Sequence, residues 1–371
     1  MSIASKPKVI IAAIACRPYV EAAVACGYKV VAIDAFVDIE VSDLAESCYQ
    51  LELSHGQLNM QQLMQVINGL DLNQFIGFCY GAGFEKKPEM LTKINTLLPV
   101  IGNLEQAVSR CKAPNDFFSV CGHLQVPYPK VLFSQLSNKD GWLRKEIGAS
   151  GGSHIKRLTD VQTTQTDAFY YQQFQAGEAV SCLFIANENG VQVIGFNEQL
   201  ISQANARPFR YSGAVSHVAM SDVAKANFEH YVGTLSKAIG LVGINSCDAI
   251  CDGDDIYILE INPRLSATMS LYEGCQLFEQ HMAAVAGEVV VVNQGCKRSH
   301  AEQIIYAERA VVIKGDIIWP KWINDRPKAG SLIEEGMPVC TVVAEAETAE
   351  HVKRLVNERA VEISRDFFKL M

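Results

Sequence analysis

The sequence predicts an α/β fold for the first part of the chain and an α+β fold for the rest. Residues 8–14 and 28–34 are continuous apolar runs, which is typical of strands buried on both faces of a parallel sheet. Residues 63–70 show the apolar spacing of a helix face and precede a third strand at residues 75–80. This alternation of strand and helix predicts a doubly wound domain that ends near residue 105.

Length, charge and cysteine content narrow the functional classes. The chain has 371 residues, enough for two or three packed units, and its formal net charge is −9. That charge argues against nucleic acid as a main partner. No apolar run has the length of a membrane span, so we expect no membrane partner. Twelve cysteines without a C-x-x-C pair, and no signal-peptide pattern, predict reduced thiols and a cytoplasmic location.

Two charged residues follow strands of the predicted N-terminal sheet. Ligands of doubly wound domains bind at the carboxyl ends of strands. Arg17 and Glu85 lie there, so we predict them as substrate contacts; a helix-start contact and a solvated loop charge are the alternatives. The nearby pattern Gly81-x-Gly83 lacks a third glycine, because Lys86 stands in its place, and therefore does not indicate a dinucleotide site.

The strand at residues 257–262 carries polar groups on an apolar background. Side chains alternate along a strand, so Ile258, Glu260 and Asn262 are expected on one face. A carboxylate and an amide oxygen placed side by side are hard ligands that suit Mg²⁺. Arg264 places a fixed positive charge just beyond these two oxygens.

A turn at residues 252–255 joins this strand to the preceding one in a hairpin. With a three-residue loop, 253–255, Asp248 would lie opposite Glu260, and three oxygen ligands would share one face. A two-residue loop would place Asp248 opposite Leu259 and spoil the cluster. The alternative interpretation is an edge hairpin with a solvated polar face.

Asp248, followed by the run from Glu260 to Arg264, resembles the metal-binding signature of the ATP-grasp superfamily of carboxylate–amine ligases. The resemblance implies a two-subdomain ATP-grasp fold after the N-terminal domain. It also implies that Asp248, Glu260 and Asn262 hold Mg²⁺, with Mn²⁺ as an alternative. Arg264 would be a catalytic residue that stabilises charge on the reacting phosphoryl group.

Earlier motifs resemble the nucleotide-binding parts of the same superfamily, in the same order. Lys112 lies in a helical stretch that Pro114 interrupts or divides, where a family lysine reaches the nucleotide. Lys145 shares a strand face with apolar residues and precedes a glycine-rich loop, which resembles the family's phosphate loop. Lys145 is thus expected both to bind ATP and to act in catalysis. The predicted loop contacts are Gly148, Gly151, Gly152 and Ser153.

Residues 169–178 resemble the adenine hinge, where a strand offers backbone groups to the base and a glycine then turns into the second subdomain. The family often has glutamate where one of two glutamines stands here. The predicted contacts to base and ribose are Gln172, Gln173, Phe174 and Glu178. An exposed turn residue is the alternative for Glu178.

A polar loop at residues 207–213 lies where the substrate is expected. Arg207 or Arg210 would bind a carboxylate or polarise an acyl phosphate, and a surface-loop role is the alternative for at least one of them. The last section is expected to contain strands at 304–313 and 339–344 and a final helix from Ala349.

The predicted organisation has four parts: an N-terminal domain over 1–105, ATP-grasp subdomains over 106–175 and 176–290, and a closing subdomain over 291–371. The resemblance implies an ATP-dependent ligase that joins a small-molecule carboxylate to an amine and releases ADP and phosphate. It is compatible with a homodimer. The chain also resembles the group that includes tyramine–glutamate ligase, which suggests cofactor biosynthesis. The alternatives are a carboxyphosphate-forming enzyme and a nucleotide-binding sensor without activity.

Overall fold

The computed structural model describes residues 7–54, 56–134, 136–160, 168–202, 207–290, 298–315 and 317–367. The N-terminal region alternates strands with helices as the apolar runs predict. Its elements are β1 (Lys8–Ala13), α1 (Arg17–Ala25), β2 (Lys29–Asp34), α2 (Ile39–Leu44), β3 (Ser47–Gln50), β4 (Leu53–Ser54), β5 (Gln57–Leu58), α3 (Met60–Asn68), β6 (Gly77–Tyr80) and α4 (Glu89–Asn95). The main sheet has the order β3-β2-β1-β6, with all pairs parallel.

Strand β1 shows why this sheet forms. Val9, Ile11 and Ala13 point into one hydrophobic cluster, whereas Ile10 and Ala12 point into another on the opposite face. All five are fully buried, so the strand has no solvated face and needs no polar alternation. The prediction of a sheet covered by helices on both sides is confirmed.

Two helices and a small antiparallel sheet follow. Pro114 divides the helical stretch rather than kinking it, because its ring fits the first turn of a new helix. The elements are α5 (Glu105–Lys112), α6 (Pro114–His123), β7 (Val131–Leu132), β8 (Trp142–Glu146), β9 (Lys156–Arg157) and β10 (Phe169–Gln173). The sheet order is β7-β10-β8-β9.

The rest of the chain builds one eight-stranded sheet with the order β15-β14-β11-β12-β13-β16-β20-β18. Its strands and the remaining elements are β11 (Glu178–Asn187), β12 (Gly190–Ile201), β13 (Tyr211–Ser216), α7 (Asp222–Ile239), β14 (Gly243–Asp252), β15 (Asp255–Asn262), α8 (Leu277–Val285), β16 (Ser299–Tyr306), β17 (Val311–Val312), β18 (Ile323–Asn324), β19 (Leu332–Ile333), β20 (Pro338–Ala346) and α9 (Ala349–Phe367). In the described part of the chain, 3₁₀ helices cover Leu72–Gln74, Leu158–Asp160 and Ala267–Tyr272. Within the described ranges, no helix is long and apolar enough to cross a membrane.

The C-terminal section corrects one predicted strand. The expected strand 304–313 ends at Tyr306, which pairs with Pro338 just past a register irregularity in the pairing with β20. Val311 and Val312 form a separate short strand that pairs with β19. The final helix does begin at Ala349 and packs on β16 and β20. The predicted boundary between residues 290 and 291 adjoins residues 291–297, which lie outside the described part.

The β14–β15 hairpin corrects the predicted loop while keeping the predicted pairing. Asp252 pairs with Asp255, so the loop has two residues and not three. A register shift next to Asp248 then restores the pairing of Asp248 with Glu260. The extra residue is Leu259, since Ala249 pairs with Ile258. A β-bulge of this kind places two residues of one strand opposite one of the other.

The bulge also overturns the expected face of Ile258. Ile256, Ile258 and Ile261 all belong to one hydrophobic cluster, so the alternation changes phase between Ile258 and Ile261. Glu260 is therefore directed away from that core rather than sharing a face with Ile258. Side chains of a regular strand alternate between two faces, and one extra residue shifts this alternation by one position. A prediction that assumes a regular strand therefore places Ile258 on the wrong face.

Candidate functional site

The candidate site is built on the hairpin. Asp248 and Glu260 lie opposite one another on β14 and β15, and Ser246 pairs with Asn262 two positions along. The Asn262 amide donates to the Asp248 carboxylate over 3.1 Å. Two carboxylates and an amide thus meet on one face, which is the donor set that sequence reasoning predicted for Mg²⁺.

Lys112 completes this group from the last residue of α5. Its ammonium donates to Glu260 Oε2 over 2.7 Å and to Asn262 Oδ1 over 2.8 Å. Lys112 is only 7% exposed, whereas the Glu260 side chain is 35% exposed. The fold therefore brings Lys112 to three residues of the hairpin, the farthest of which, Asn262, lies 150 positions away in sequence, and neutralises part of their charge internally.

Gln199 on β12 also belongs to the group, although sequence reasoning missed it. Its side-chain amide donates to Asp248 Oδ1 over 2.8 Å. Nothing around Gln199 signals this role, because the contact depends on the strand order β14-β11-β12. Knowledge of that order, together with the side-chain alternation of β12, would have identified it.

The two carboxylates have opposite electrostatic environments. Burial and the neighbouring Glu260 charge raise the pKa of Asp248 above its usual range. Burial also acts to raise the pKa of Glu260, but the surrounding positive charges, led by the Lys112 ammonium, together outweigh it and lower that pKa. Of the two carboxylates, Glu260 is therefore the one held more firmly in its charged form.

Lys145 approaches the same group from β8, opposite Tyr170 on β10. It is 7% exposed, and burial lowers its pKa, although the charges of Glu260 and Asp248 act in the other direction. Within the described ranges it forms no ion pair, in contrast to Lys112. A buried ammonium without a bonded partner is costly, and an anionic group bound here would relieve that cost.

The glycine-rich loop lies beside Phe209 and Arg210. Gly148, Gly151 and Gly152 all have positive φ angles between 70° and 72°. A Cβ on Gly152 would lie 1.9 Å from the Phe209 carbonyl oxygen, so only glycine fits there. Ser153 is exposed at the loop's end. Next to it, burial lowers the pKa of His154, and its Nδ1 lacks a hydrogen-bond partner in the described part.

The residues of the predicted adenine hinge, 169–178, differ in burial and in whether their polar groups already have partners. Gln172 is 1% exposed, and its Nε2 has no hydrogen-bond partner among described residues. Gln173 and Phe174 are exposed, but their backbone N–H groups already donate to Lys130 and Gly141. Glu178 is exposed at the start of β11, opposite Cys251. Gly177 is required, because a Cβ there would lie 2.5 Å from the Cys251 carbonyl oxygen.

Arg264 is bonded to Glu85, so two predicted site residues meet. The guanidinium Nε donates to Glu85 Oε1 over 2.7 Å, and the Gly83 N–H donates to the other carboxylate oxygen over 2.7 Å. Burial acts to raise the pKa of Glu85, but the charges of Arg264 and Lys112 and the hydrogen bonds from Arg264 and the Gly83 N–H together outweigh it, so the pKa is lowered. The pair joins the N-terminal region to the end of β15.

Arg17 is also bonded to carboxylates. It is 2% exposed and pairs with Asp325 over 2.6 Å and with Glu21 over 2.8 Å. Asp325 is not among the residues predicted from the sequence to take part in the site, so this contact was missed. The structure thus places Arg17 in a buried link between the N-terminal region and the C-terminal section.

Glu302 is a second acidic group that sequence reasoning missed. It is 4% exposed on β16, and burial raises its pKa to about 7. Ser270 donates to it over 2.7 Å. Arg207 and Arg210 lie farther along the sheet, and Arg210 donates to the Gly336 carbonyl oxygen and to the Ser202 hydroxyl. These two arginines are therefore not part of the hairpin group.

The residues present fit both Mg²⁺ and a nucleotide. No group of three or more histidine, cysteine or acidic side chains in the described ranges suits a metal ion. Asp248 and Glu260 nevertheless supply two hard carboxylates, and Mg²⁺ typically combines one or two of these with phosphates of its nucleotide. Among the described residues, the Gln172 amide nitrogen has no hydrogen-bond partner and the Lys145 ammonium forms no ion pair, so each is free to bond to a ligand.

Comparison with known proteins agrees with this geometry. Residues 119–268 match the model of the ATP-grasp domain family. An uncharacterised protein of Methanocaldococcus jannaschii, MJ0776, is 24% identical over 374 residues, which cover 94% of this chain and 90% of that protein.

Three solved structures share the fold. Biotin carboxylase from Campylobacter jejuni has a TM-score of 0.70 at 14% identity, covering 93% of this chain and 89% of its own. L-amino acid ligase from Bacillus licheniformis has a TM-score of 0.69 at 15% identity, with coverage of 95% and 97%. Phosphoribosylglycinamide synthetase from Anaerococcus prevotii has a TM-score of 0.67 at 15% identity, also with 95% and 97%. Residues 119–268 therefore match an ATP-grasp domain, and the chain shares the fold of these solved structures.

Proposed function

We propose that the protein is an ATP-dependent ligase that joins a carboxylate to an amine through an acyl phosphate. The observation that carries the proposal is the convergence of Asp248, Glu260 and Asn262 with two buried lysines, Lys112 and Lys145. Such a set offers hard oxygens for Mg²⁺ and fixed positive charge for phosphates. No nucleophilic side chain is needed for this chemistry.

In the proposed reaction, a carboxylate oxygen of the substrate attacks the γ-phosphorus of ATP, and the bond to the β-phosphate bridging oxygen breaks. ADP leaves with that electron pair. The amine then attacks the acyl carbon, phosphate departs, and the nitrogen loses a proton. Lys145 and the loop N–H groups hold the phosphates, so they stabilise charge that develops on the transferred group.

Asp248, Glu260 and Asn262 would hold Mg²⁺, with Mn²⁺ as an alternative. The metal would supply charge neutralisation at the phosphate oxygens. In this structure the Lys112 ammonium donates to Glu260 and Asn262. We propose that the Lys112 side chain would rotate toward the nucleotide if these oxygens bound a metal ion. Arg264 is held by Glu85, so we assign it to fixed positive charge at the reacting end rather than to free capture of substrate.

The partners in this proposal are a small-molecule carboxylate and an amine, in a cytoplasmic enzyme. Similarity to the group that includes tyramine–glutamate ligase supports a place in cofactor biosynthesis. The L-amino acid ligase and phosphoribosylglycinamide synthetase similarities are consistent with ligation, and the biotin carboxylase similarity keeps carboxyphosphate formation as the second candidate.

The test is ADP release with Mg-ATP and pooled carboxylates and amines. Glu260→Gln and Asp248→Asn are expected to abolish substrate-dependent release. Asp255→Asn, an exposed carboxylate on the same hairpin, is the matched control and should retain the wild-type rate. Release that requires bicarbonate instead of an organic carboxylate would favour the carboxyphosphate alternative. Nucleotide binding without release in any pool would favour the sensor.

A further inference from the structure

A groove opens where strands β13 and β16 part. They pair only from Gly213 to Val215, although β13 begins at Tyr211 and β16 continues to Tyr306. Beyond the pairing, a groove of about 830 Å³ is lined by residues of β12, β16 and α9. This volume is within the range of cavities that hold small organic ligands.

Arg210 lies on the wall of this groove and is incompletely bonded. It is 7% exposed, and its guanidinium stacks 3.5 Å from the centre of the Tyr306 ring. Its two terminal nitrogens donate to Gly336 O over 3.2 Å and to Ser202 Oγ over 3.1 Å. Its Nε is buried without a hydrogen-bond partner in the described part of the chain.

The positive charge of Arg210 also lacks a counter-ion. Its bonded partners are neutral oxygens, and neither Arg210 nor Arg207 forms an ion pair with a carboxylate of the described residues. Arg207 lies beside it, against Gly336, and also lines the groove. A buried guanidinium without an ion pair is costly, so an anion bound beside Arg210 would offset that cost, and the exposed Arg207 adds a second positive charge there. Glu198, Glu308 and Glu335 also line the groove, but none of them forms an ion pair with either arginine among the described contacts.

A second unpartnered atom lies in the same groove. Gln303 Oε1 is buried without a hydrogen-bond donor among described residues. An unmet acceptor is satisfied by a ligand that carries an N–H or O–H donor. A ligand that satisfies both Arg210 and Gln303 therefore combines an anionic group with a hydrogen-bond donor, and an amino acid, with its carboxylate and ammonium groups, meets both requirements.

The groove reaches the hairpin site. Gln199 lines it and donates to Asp248, and the Tyr211 N–H next to Arg210 donates to the Gly151 carbonyl oxygen of the glycine loop over 3.0 Å. We propose that this groove binds an amino-acid substrate, with its carboxylate on Arg210 and Arg207 and its nitrogen on Gln303. The assignment rests on the proposed function, because it supplies the substrate of that reaction.

The experiment is isothermal titration calorimetry of the full chain, without nucleotide, with two matched pairs of small acids as ligands. Aspartate is compared with succinate and glutamate with glutarate, so that each pair differs in the ammonium group. At least one amino acid should bind, and Arg210→Gln should weaken it about 10-fold or more, as expected when a charge-assisted bond is lost. Gln303→Met should reduce the preference for the amino acid over its matched acid.

Two further variants serve as a backup and as a negative control for this test. Arg207→Gln, at the neighbouring groove position, should also weaken binding if Arg210→Gln fails to fold. Arg354→Gln, on the exposed side of α9, removes a guanidinium outside the groove and should change nothing. The proposal is overturned if none of the four acids binds, if binding survives both groove substitutions, or if only inorganic phosphate shows dependence on Arg210. Turnover is not measured, so failure here leaves the ligase proposal standing, and failure of ADP release leaves the groove result standing.

Discussion

Two sets of buried polar groups differ in whether they have hydrogen-bond or ion-pair partners. Where the N-terminal region meets the C-terminal section, Arg17 is bonded to two carboxylates over 2.6–2.8 Å. Beside the hairpin site, Lys145 on β8 has no ion pair, and the Gln172 amide nitrogen on the neighbouring strand β10 has no partner, among the described residues. Because an unpaired buried group destabilises a fold, we infer that the first set serves stability and the second serves binding.

Two histidines show the same contrast. His281 is 2% exposed, accepts from the Ile244 N–H at Nδ1 over 2.9 Å and bonds through Nε2 to the Ile101 carbonyl oxygen over 3.1 Å. His154, beside the glycine loop, leaves a buried Nδ1 without a partner among described residues. The sequence presents both as isolated histidines, and only their bonding separates a structural role from a binding role.

The largest expected effect is on activity. Lys145→Met should lower ATP turnover by roughly 10²–10³-fold, because a fixed charge at the phosphates is lost. Its free energy of unfolding should stay the same or increase, since an unpaired buried ammonium is removed. Lys156→Met, on the exposed strand β9, is the control. A marked loss of stability in Lys145→Met would break the comparison.

The next effect is on stability. Arg17→Met should lower the free energy of unfolding by about 3 kcal/mol, because Glu21 and Asp325 lose their buried partner. Urea denaturation measures this. Arg354→Met breaks an exposed pair with Glu358 and should cost less than about 0.5 kcal/mol. Equal stability of the two variants would show that Arg17 is not a structural link.

The stability contribution of His281 should depend on pH. Burial lowers its pKa to about 4, whereas an unfolded histidine titrates near 6.5. Between these values the unfolded chain takes up a proton that folded His281 rejects, so stability is full above about pH 6.5 and falls toward pH 4. From pH 7 to pH 5 the loss from this group is about 2 kcal/mol.

Urea denaturation of the wild type and His281→Asn at both pH values checks this prediction. The variant should be less stable at pH 7 but should lose about 2 kcal/mol less than the wild type on acidification. His351→Asn, at an exposed position of α9, should behave as the wild type does. Parallel pH profiles for wild type and His281→Asn would refute the assignment.

The smallest expected effect is on the affinity for ATP, through the proposed contact of Gln172 with the adenine base. Gln172→Leu should weaken ATP binding by about fivefold, as expected for one lost hydrogen bond, without lowering stability. Calorimetric titration of ATP measures it, with Gln65→Leu on the exposed side of α3 as the control. A Gln172→Leu variant that binds ATP normally but unfolds more readily would move Gln172 to the structural set.

The hairpin shows how far sequence reasoning reaches. The pairing of Asp248 with Glu260 was predicted correctly, but from a loop of the wrong length, since the bulge at Leu259 compensates for the shorter turn. No residue type marks such a bulge, because Leu259 is an ordinary strand residue. The strand pattern, the helices and the glycine loop depend on local spacing and were therefore predictable.

Contacts between distant strands were not predictable. Gln199 reaches Asp248 only because β11 lies between β12 and β14, and Asp325 reaches Arg17 across 308 positions. These contacts depend on sheet order and on packing between regions, which single-sequence periodicity does not encode. Whether a buried charge has a partner is thus knowable only from the folded chain.

The most direct test of the account is calorimetric titration of ATP with and without Mg²⁺ into the wild type and Glu260→Gln. We expect the wild type to bind ATP more tightly with Mg²⁺, by about 10-fold or more, and Glu260→Gln to lose that difference. ATP binding that ignores Mg²⁺ in both proteins, or no ATP binding by the wild type, would contradict the assignment of the hairpin as a magnesium–nucleotide site.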